Sequence, residues 1–483
     1  MRSSPLTASI HILDDDSLLN MFHLYRPFLL GEDDEDEFDR ILGGKKGWDG
    51  GRWWYKLAHV CQRWRNILLG SAAYLGVSLV CTNGTPVADM LANSPPLLLV
   101  IDYVHDDEIT PKDEEEAILA LKQYHCVHRV RLHMPPTSLQ KLIMTIMDDE
   151  YPIMEHLIIA HRVKDKTSIL RFPETLQAPH LLHLVLISFA LPIGSRLLTT
   201  AVGLVTLCLV MQNPSTYFHP NTLLQWVSFM PQLETILITF DFPDRLPDRS
   251  LHAGGQFMHT AIAALVTLPN LRHFTFQGVT AYLEALLYRI SAPRLEKLEI
   301  VFFNQLTFSV PRLLHFVGTT ENLRSKTAKF KFSDGHVDVE VYPHEEVEMY
   351  ALFIAVNSCH LDWQVSSMAQ ILNALGPVLS AVVHLTFEHE FHSQSSEEHN
   401  EVDPTVWHKL LCSFRNVKTL RIAEGLVEEL TRCLQLDDGK LSSEMLPELQ
   451  ELSYSGSGNT GDAFTSFIDA CQNAGCPITV IHS

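Results

Sequence analysis

The sequence is short of basic residues and has no paired cysteine motif, and each shortage excludes a class of protein. Lys and Arg number 36 against 57 Asp and Glu, so the net charge is −21. A chain this acidic repels the phosphate backbone of nucleic acids. Its nine cysteines contain no Cys-x-x-Cys pair, which argues against a secreted disulfide framework and against a zinc module. We therefore expect no nucleic-acid partner and a cytoplasmic or nuclear protein with reduced thiols.

Long apolar runs are also absent. The most apolar stretch, residues 181–210, is interrupted by His183, Pro192 and Arg196. It therefore lacks the ~18 unbroken apolar residues that a membrane-spanning helix needs. Residues 1–16 show no apolar segment of a secretory signal. We expect neither a membrane partner nor secretion, whereas the 46% hydrophobic content is enough to bury a large core.

What the sequence does contain is a recurring phrase, Pro-x-Φ-x-x-Φ-x-Φ, in which Φ is apolar. Copies begin at Pro231, Pro269 and Pro293. The phrase ends in an alternating pair typical of a short strand, and apolar residues between copies recur with the period of a helix face. Regular alternation of strand and helix predicts parallel strands joined by crossover helices, stacked so that neighbouring units bury one continuous core.

This phrase resembles the L-x-x-L-x-L core of leucine-rich repeats from about residue 125 to residue 480. The Asn or Cys that usually follows the last Leu is replaced, for example by Phe189, Asp241 and Val279. We therefore predict an α/β fold in which residues 76–483 form an irregular, degenerate leucine-rich-repeat-like solenoid with a parallel sheet. Asp334-Gly335 stands between two alternating segments and predicts a hairpin or an antiparallel strand near residues 327–342.

The N-terminal 75 residues have the pattern of a small all-α module. Leu18, Met21, Phe22 and Tyr25 share one face of a predicted helix, and Asp14 is placed to cap its start. A second helix is predicted to begin near Trp53. It would place four more apolar residues on one face: Leu57, Val60, Cys61 and Trp64.

Between these helices lies an insertion, residues 26–52, in which seven acidic residues cluster at positions 32–39 and five glycines follow at positions 43–51. Clustered like charge followed by glycine predicts a flexible insertion. A docking element for a basic partner is the alternative.

An apolar helix followed by Val60-Cys61-Gln62-Arg63-Trp64-Arg65 resembles an F-box, over about residues 10–75. Asp14 stands where that family has proline, and Ser17 where it has isoleucine. The whole chain resembles a large family of fungal F-box proteins that carry a leucine-rich-repeat-like array. The alternative is an unrelated helical cap of the solenoid.

The resemblance implies a substrate-recognition subunit of a cullin-RING ubiquitin ligase, in which the F-box binds the Skp-type adaptor and the array binds a protein substrate. The positions implied for adaptor binding are Leu13, Leu18, Met21, Phe22, Val60, Cys61 and Trp64. No catalytic residue, metal or cofactor is expected, and the chain would not be an enzyme. Two alternatives remain: an interaction scaffold independent of ubiquitin, and an enzyme with an unrecognised site.

Candidate substrate-binding residues lie between the apolar positions of successive strands. Since adjacent strands lie ~4.8 Å apart, His156 and His183 could stack, and a row of metal-binding histidines is conceivable. A second column of side chains, between the last two apolar positions of four successive strands, is apolar: Ile158, Val185, Cys208 and Leu237. If that column is exposed it would suit a protein partner. If both faces of the sheet are covered, it is core.

Two motifs imitate known sites. Residues 456–461 fit G-x-G-x-x-G, but the acidic ribose partner expected ~20 residues later is missing, and Ile481, His482 and Ser483 stand there. Residues 384–399 are rich in His and Glu but lack H-E-x-x-H. Neither motif therefore changes the expectation that the chain holds no cofactor and no metal.

Overall fold

A computed structural model describes most of the chain. The described residues are 13–26, 52–104, 109–146, 149–161, 169–241, 265–303, 305, 307–324, 326–343, 349–390, 402–434, 445–454, 464–473 and 475–482. The chain divides into two compact units, Met1–Leu207 and Cys208–Ser483. Most of the predicted insertion, residues 27–51, lies outside the described residues, as does the glycine motif at residues 456–461.

The first unit begins with helices and continues as alternating strands and helices. Its helices are α1 (Asp15–Tyr25), α2 (Trp53–Ala58), α3 (Gln62–Gly70), α4 (Ala72–Leu75), α5 (Val87–Asn93), α6 (Pro111–Leu121), α7 (Pro136–Thr145) and α8 (Arg196–Thr200). Its strands are β1 (Ser78–Cys81), β2 (Leu98–Val104), β3 (Val127–His133), β4 (His156–Ala160), β5 (Leu170–Arg171), β6 (His183–Ile187) and β7 (Phe189–Ala190). Strand β8 (Thr206–Met211) contains the boundary between the units.

Strands β1, β2, β3, β4 and β6 lie side by side in that order, and every described pair among them is parallel. The repeated phrase explains this arrangement, because its apolar positions come into register on neighbouring strands. Leu157 pairs with Leu184, and both side chains are buried. The predicted parallel strands with intervening helices are therefore present in this unit.

The second unit repeats the alternation. Its helices are α9 (Pro220–Val227), α10 (Thr280–Leu287), α11 (Pro311–Thr319), α12 (Leu361–Leu379), α13 (Pro404–Leu411), α14 (Val427–Leu434) and α15 (Thr465–Asn473). Its strands are β9 (Thr235–Phe240), β10 (Val266–Thr267), β11 (His273–Gly278), β12 (Ile290–Ser291), β13 (Lys297–Phe302), β14 (Thr327–Ser333), β15 (His336–Tyr342), β16 (Leu352–Asn357), β17 (His384–Glu390), β18 (Thr419–Ile422), β19 (Glu451–Tyr454) and β20 (Thr479–His482).

The sheet of this unit has the order β9-β11-β13-β16-β15-β14-β17-β18-β19-β20. Strand β15 alone among these described strands runs antiparallel to its neighbours. The turn at Asp334-Gly335 joins β14 to β15, so the sequence pattern placed the hairpin where the structure has it. Strand β14 is parallel to β17, and β16 is parallel to β13, so the parallel arrangement resumes on both sides of β15.

Proline begins several of these helices. Its fixed φ and missing N–H suit the first helical position, where the N–H would have no helical partner. Thr110 Oγ1 accepts from the N–H of Asp113 at 3.1 Å just before Pro111. Asp403 caps α13 in the same way, accepting from the N–H of Thr405 at 2.8 Å. Proline and the capping side chain together define where these two helices begin.

Candidate docking surfaces

Helix α1 is capped as its sequence predicts. Asp14 Oδ1 accepts from the N–H of Ser17 at 2.6 Å. Hydrogen bonding to Ser17 holds the pKa of the Asp14 carboxyl below its ordinary value. Asp15 and Asp16 in the first turn suit the positive end of the helix dipole. The aspartate found where the F-box pattern has proline therefore starts the helix.

The buried side of α1 is formed by Leu18 and Phe22, which are almost fully excluded from solvent. The ring of Phe22 meets that of Trp64 on α3 edge to face, with centroids 5.0 Å apart. Leu68 on α3 is also buried. These side chains pack the two helices together.

Arg63 links the starts of the same two helices. Its Nη2 donates to the carbonyl of Leu13 at 2.6 Å, and its Nε donates to Asp15 Oδ1 at 2.9 Å. The guanidinium therefore spans one backbone acceptor and one carboxylate. This polar contact defines how α3 lies against α1.

The single second helix predicted from Trp53 to Trp64 is wrong. Helix α2 ends at Ala58, and α3 begins only at Gln62. Cys61 between them is extended, with φ −160° and ψ 167°, and is the N-cap of α3. The break turns Val60 outward, where 56% of its surface is exposed, and lets Trp64 reach Phe22.

An apolar stripe on α1 is left exposed. It consists of Met21, Leu24 and Tyr25, whose surfaces are 43%, 78% and 58% exposed. The spacing i, i+3, i+4 places the three side chains on one side of the helix. Leu24 is missing from the predicted site because sequence periodicity assigns apolar residues to the buried face.

The seven positions implied for adaptor binding thus have different environments. Leu18 and Phe22 are buried, and Leu13, Cys61 and Trp64 are half-buried. Met21 and Val60 are exposed. The exposed pair leaves apolar surface open to solvent, whereas the buried pair packs α1 against the rest of the module.

A polar groove lies between α1 and α3. It is an open depression of about 610 Å³, lined among others by Asp15, Asp16, Leu19, Arg63 and Ile67. By helical geometry, Asp15 and Leu19 lie on the opposite side of the buried residues from the apolar stripe. The module therefore has one apolar and one largely polar flank.

Helix α2 ties these helices to the sheet. Trp54 is buried, and its indole Nε1 donates to the carbonyl of Ser78 in β1 at 3.0 Å. Arg65 on α3 donates to the carbonyl of Ala58 at the end of α2, at 3.1 Å. The N-terminal helices thus cover part of the first strand.

In the first unit, His156 and His183 occupy neighbouring strands in register. Their rings stack with centroids 4.4 Å apart and planes 16° from parallel, which confirms the predicted stacking. His183 Nδ1 lies 3.1 Å from Thr206 Oγ1. Burial, reinforced by the charge of Arg129, lowers the pKa of His156 to about 3, so its imidazole is neutral at physiological pH.

The next column of predicted substrate contacts is buried. Ile158 and Val185 are core residues of the first unit, and Cys208 and Leu237 are core residues of the second. Of the two alternatives for this column, the structure supports core. Apolar side chains this deeply buried offer no surface to a substrate.

A buried ion pair between strands β2 and β3 lies beside this column and was not predicted from the sequence. Asp102 accepts from Arg131 Nε and Nη2, both at 2.7 Å, and both side chains are buried. Arg131 pairs in register with Ile158. The two partners are 29 residues apart in sequence, so only the strand pairing brings them together.

Within the described parts of the chain, no group of three or more His, Cys, Asp or Glu side chains is arranged to hold a metal ion. No described helix is both long enough and apolar enough to cross a membrane. All nine cysteines are free thiols.

No protein-family model matches the chain, and no curated protein matches it. Among solved structures, one match is to a chain in a crystal structure of the Rad7 and Elc1 complex in yeast. The two share 11% sequence identity over 92% of this chain and 88% of that chain, with a TM-score of 0.26. A likeness this distant supports no argument about fold or function.

Proposed function

We propose that the chain is a substrate-recognition subunit of a Skp/cullin/F-box-type ubiquitin ligase, with its N-terminal helices docked on a Skp-type adaptor. The observation that supports this most is the apolar stripe of Met21, Leu24 and Tyr25 on α1. Exposed apolar side chains clustered on one helix are typical of a protein interface. The Val60–Arg65 block, which resembles the F-box, supplies Trp64 to hold that helix in place.

In this proposal no residue of the chain performs chemistry. The alternating strands and helices bind a protein substrate, and another subunit transfers ubiquitin to it. Holding two proteins together raises their effective concentration, which is enough to direct a modification. The array would recognise its substrate through shape and polar contacts on the sheet, such as those around His156 and His183.

A scaffold independent of ubiquitin is the second candidate. The buried hydrogen bond from Trp54 to Ser78 favours it, because it ties the N-terminal helices to the first strand as a cap. In that case the helices protect the end of the sheet, and the apolar stripe needs no adaptor.

The test is binding of the intact chain to a purified Skp-type adaptor, compared with the variant Leu24→Asp. Leu24 is 78% exposed, so the substitution should leave folding unchanged while placing a charge in the interface. Met144→Asp is the matched control, since Met144 is a similarly exposed apolar residue on α7.

We expect the intact chain and Met144→Asp to bind, and Leu24→Asp to lose binding with an unchanged circular dichroism spectrum. Equal binding by both variants would exclude the stripe as the contact. No binding by the intact, folded chain would overturn the ligase proposal and favour the cap.

A further inference from the structure

The end of helix α15 in the second unit carries two cysteines five residues apart in sequence. Cys471 lies in the last turn of the helix, which ends at Asn473, and its side chain is buried. Cys476 follows the helix and is exposed. Both are free thiols, and neither belongs to the proposed adaptor or substrate surfaces. One buried and one exposed thiol are therefore located where the chain leaves the helix.

The backbone between the two cysteines forms a Schellman motif. The N–H of Cys476 donates to the carbonyl of Cys471 at 2.9 Å, and the N–H of Gly475 donates to the carbonyl of Gln472 at 3.0 Å. Gly475 has φ +83°, the left-handed conformation that this motif needs and that favours glycine. Pro477 follows and cannot continue the helix. Side chains at the positions of Cys471 and Cys476 commonly contact each other in this motif.

The hydrogen bond between the two cysteines limits how far apart they can be. Covalent geometry places a carbonyl oxygen about 2.4 Å from its own Cα and an amide nitrogen about 1.5 Å from its own. With 2.9 Å between that oxygen and nitrogen, the Cα atoms of Cys471 and Cys476 lie within about 6.8 Å of each other, and closer unless the atoms are collinear. Disulfide-bonded cysteines have Cα atoms about 4.4–6.8 Å apart. The motif thus holds the two residues at a separation that a disulfide bond can span.

The two thiols differ in reactivity. Burial raises the pKa of the Cys471 thiol, and the charge of Cys476 adds to that effect, so Cys471 is protonated at neutral pH. The Cys471 side chain is also shielded from solvent, whereas Cys476 can meet an oxidant directly. Cys476 is therefore the thiol that reacts first, and Cys471 is placed to resolve the product.

We propose that Cys471 and Cys476 form a reversible oxidation site, at which a hydroperoxide converts the two thiols into a disulfide. The Cys476 thiolate attacks the peroxide, the O–O bond breaks, and a sulfenic acid forms while the leaving oxygen takes up the proton that the thiol released. The Cys471 thiol then attacks the Cys476 sulfur, an S–S bond replaces the S–O bond, and the thiol proton and the hydroxyl leave as water. The two thiols lose two electrons, which reduce the peroxide. A dithiol reverses the step by thiol–disulfide exchange and is itself oxidised.

The disulfide would fasten the end of α15 to the segment that leads into β20. Strand β20 begins at Thr479, shortly after Cys476, and pairs with β19 at the end of the described strand order. The cross-link removes open conformations of the motif, because the chain between the two cysteines can no longer extend. Amide exchange should therefore slow in the oxidised protein, by about 10- to 40-fold for the amides of the closed loop.

The experiment treats the folded full chain with hydrogen peroxide and then alkylates the remaining thiols with iodoacetamide in urea. Cleavage before Asp469 releases residues 469–483, which contain both cysteines of the motif and no other, for mass spectrometry. The key variant is Cys476→Ser. Cys359→Ser is the matched control, since Cys359 is an exposed cysteine outside the motif. Circular dichroism before oxidation checks that each variant is folded.

We expect the peptide from the oxidised intact chain, and from oxidised Cys359→Ser, to be lighter than its reduced form by the mass of two hydrogen atoms. It should take up no alkyl group until dithiothreitol restores both thiols. In Cys476→Ser the shielded Cys471 should stay reduced and be alkylated after the same treatment. Hydrogen exchange of the intact chain should slow on oxidation in residues 471–482, and in Cys476→Ser it should not.

Three results would overturn the proposal. The first is that both cysteines of the peptide remain alkylatable after a treatment that has oxidised Cys359. The second is that Cys476 is oxidised to a sulfinic acid, or pairs with a different cysteine, without forming the bond to Cys471. The third is that the disulfide forms and the exchange of residues 471–482 is unchanged, which would show that oxidation does not fasten this end of the chain.

Discussion

Replacing Phe22 by alanine should release helix α1 from the rest of the first unit. The helix has only 11 residues, and an isolated helix shorter than ~12–15 residues is marginal in water. Its folded state therefore depends on packing. Phe22 supplies a large part of that packing, because it is 2% exposed and meets Trp64 at 5.0 Å.

The magnitude follows from this environment. A Phe→Ala change in a core costs about 3–5 kcal/mol, which includes an aromatic contact of about 0.5–1.5 kcal/mol. At about 1.4 kcal/mol per factor of ten, the opening of α1 should become about 140- to 3,700-fold more frequent. The cost should be local, since α1 contributes no strand to the sheet.

Hydrogen exchange followed by mass spectrometry measures this directly. Amides of residues 15–25 should exchange faster in Phe22→Ala, while those of strand β3 (Val127–His133) serve as an internal reference. Leu24→Ala is the matched control, because an exposed side chain contributes about 0.5 kcal/mol or less. Exchange of α1 within about threefold of the intact chain in Phe22→Ala would refute the reasoning.

Three further predictions concern single contacts. Asp338 Oδ2 lies 3.4 Å from His336 Nε2 and raises the pKa of His336, so Asp338→Asn should lower that pKa in an NMR titration. Because the folded pKa is raised, the associated stabilisation is complete below the unfolded value of about 6.5 and is lost as pH rises through the folded pKa. Glu284 accepts from the N–H groups of Arg312 and Leu313 at the start of α11, so Glu284→Ala should lower the free energy of unfolding by about 1 kcal/mol in urea titrations. Arg63→Lys should not restore the two-acceptor contact with Leu13 and Asp15, so amide exchange of residues 15–17 should rise as it does in Arg63→Ala.

Patterns that depend on neighbouring residues were predictable from the sequence. The alternation of strands and helices, the cap at Asp14 and the hairpin at Asp334-Gly335 all rest on local chemistry. Each is a preference that a segment carries wherever it lies in the fold. The structure keeps these preferences because packing reinforces them.

The break between α2 and α3 was not predictable in the same way. Val60 and Cys61 continue the helical period of Leu57 and Trp64, and no Gly or Pro interrupts it. Helix α2 ends at Ala58 because contacts outside the helix favour a break there. Trp54 donates to the carbonyl of Ser78, and Arg65 donates to the carbonyl of Ala58, the last residue of α2. Both contacts stabilise separate helices in place of one continuous helix.

The sequence pattern also could not predict that the second face of the sheet is buried. Consecutive apolar residues such as 157–159 show that a strand has two apolar faces, but not whether both are covered. Ile158 and Val185 are core, whereas His156 in the same strand as Ile158 is half-buried. The pair Asp102–Arg131 likewise depends on strand register, which places the two residues opposite each other.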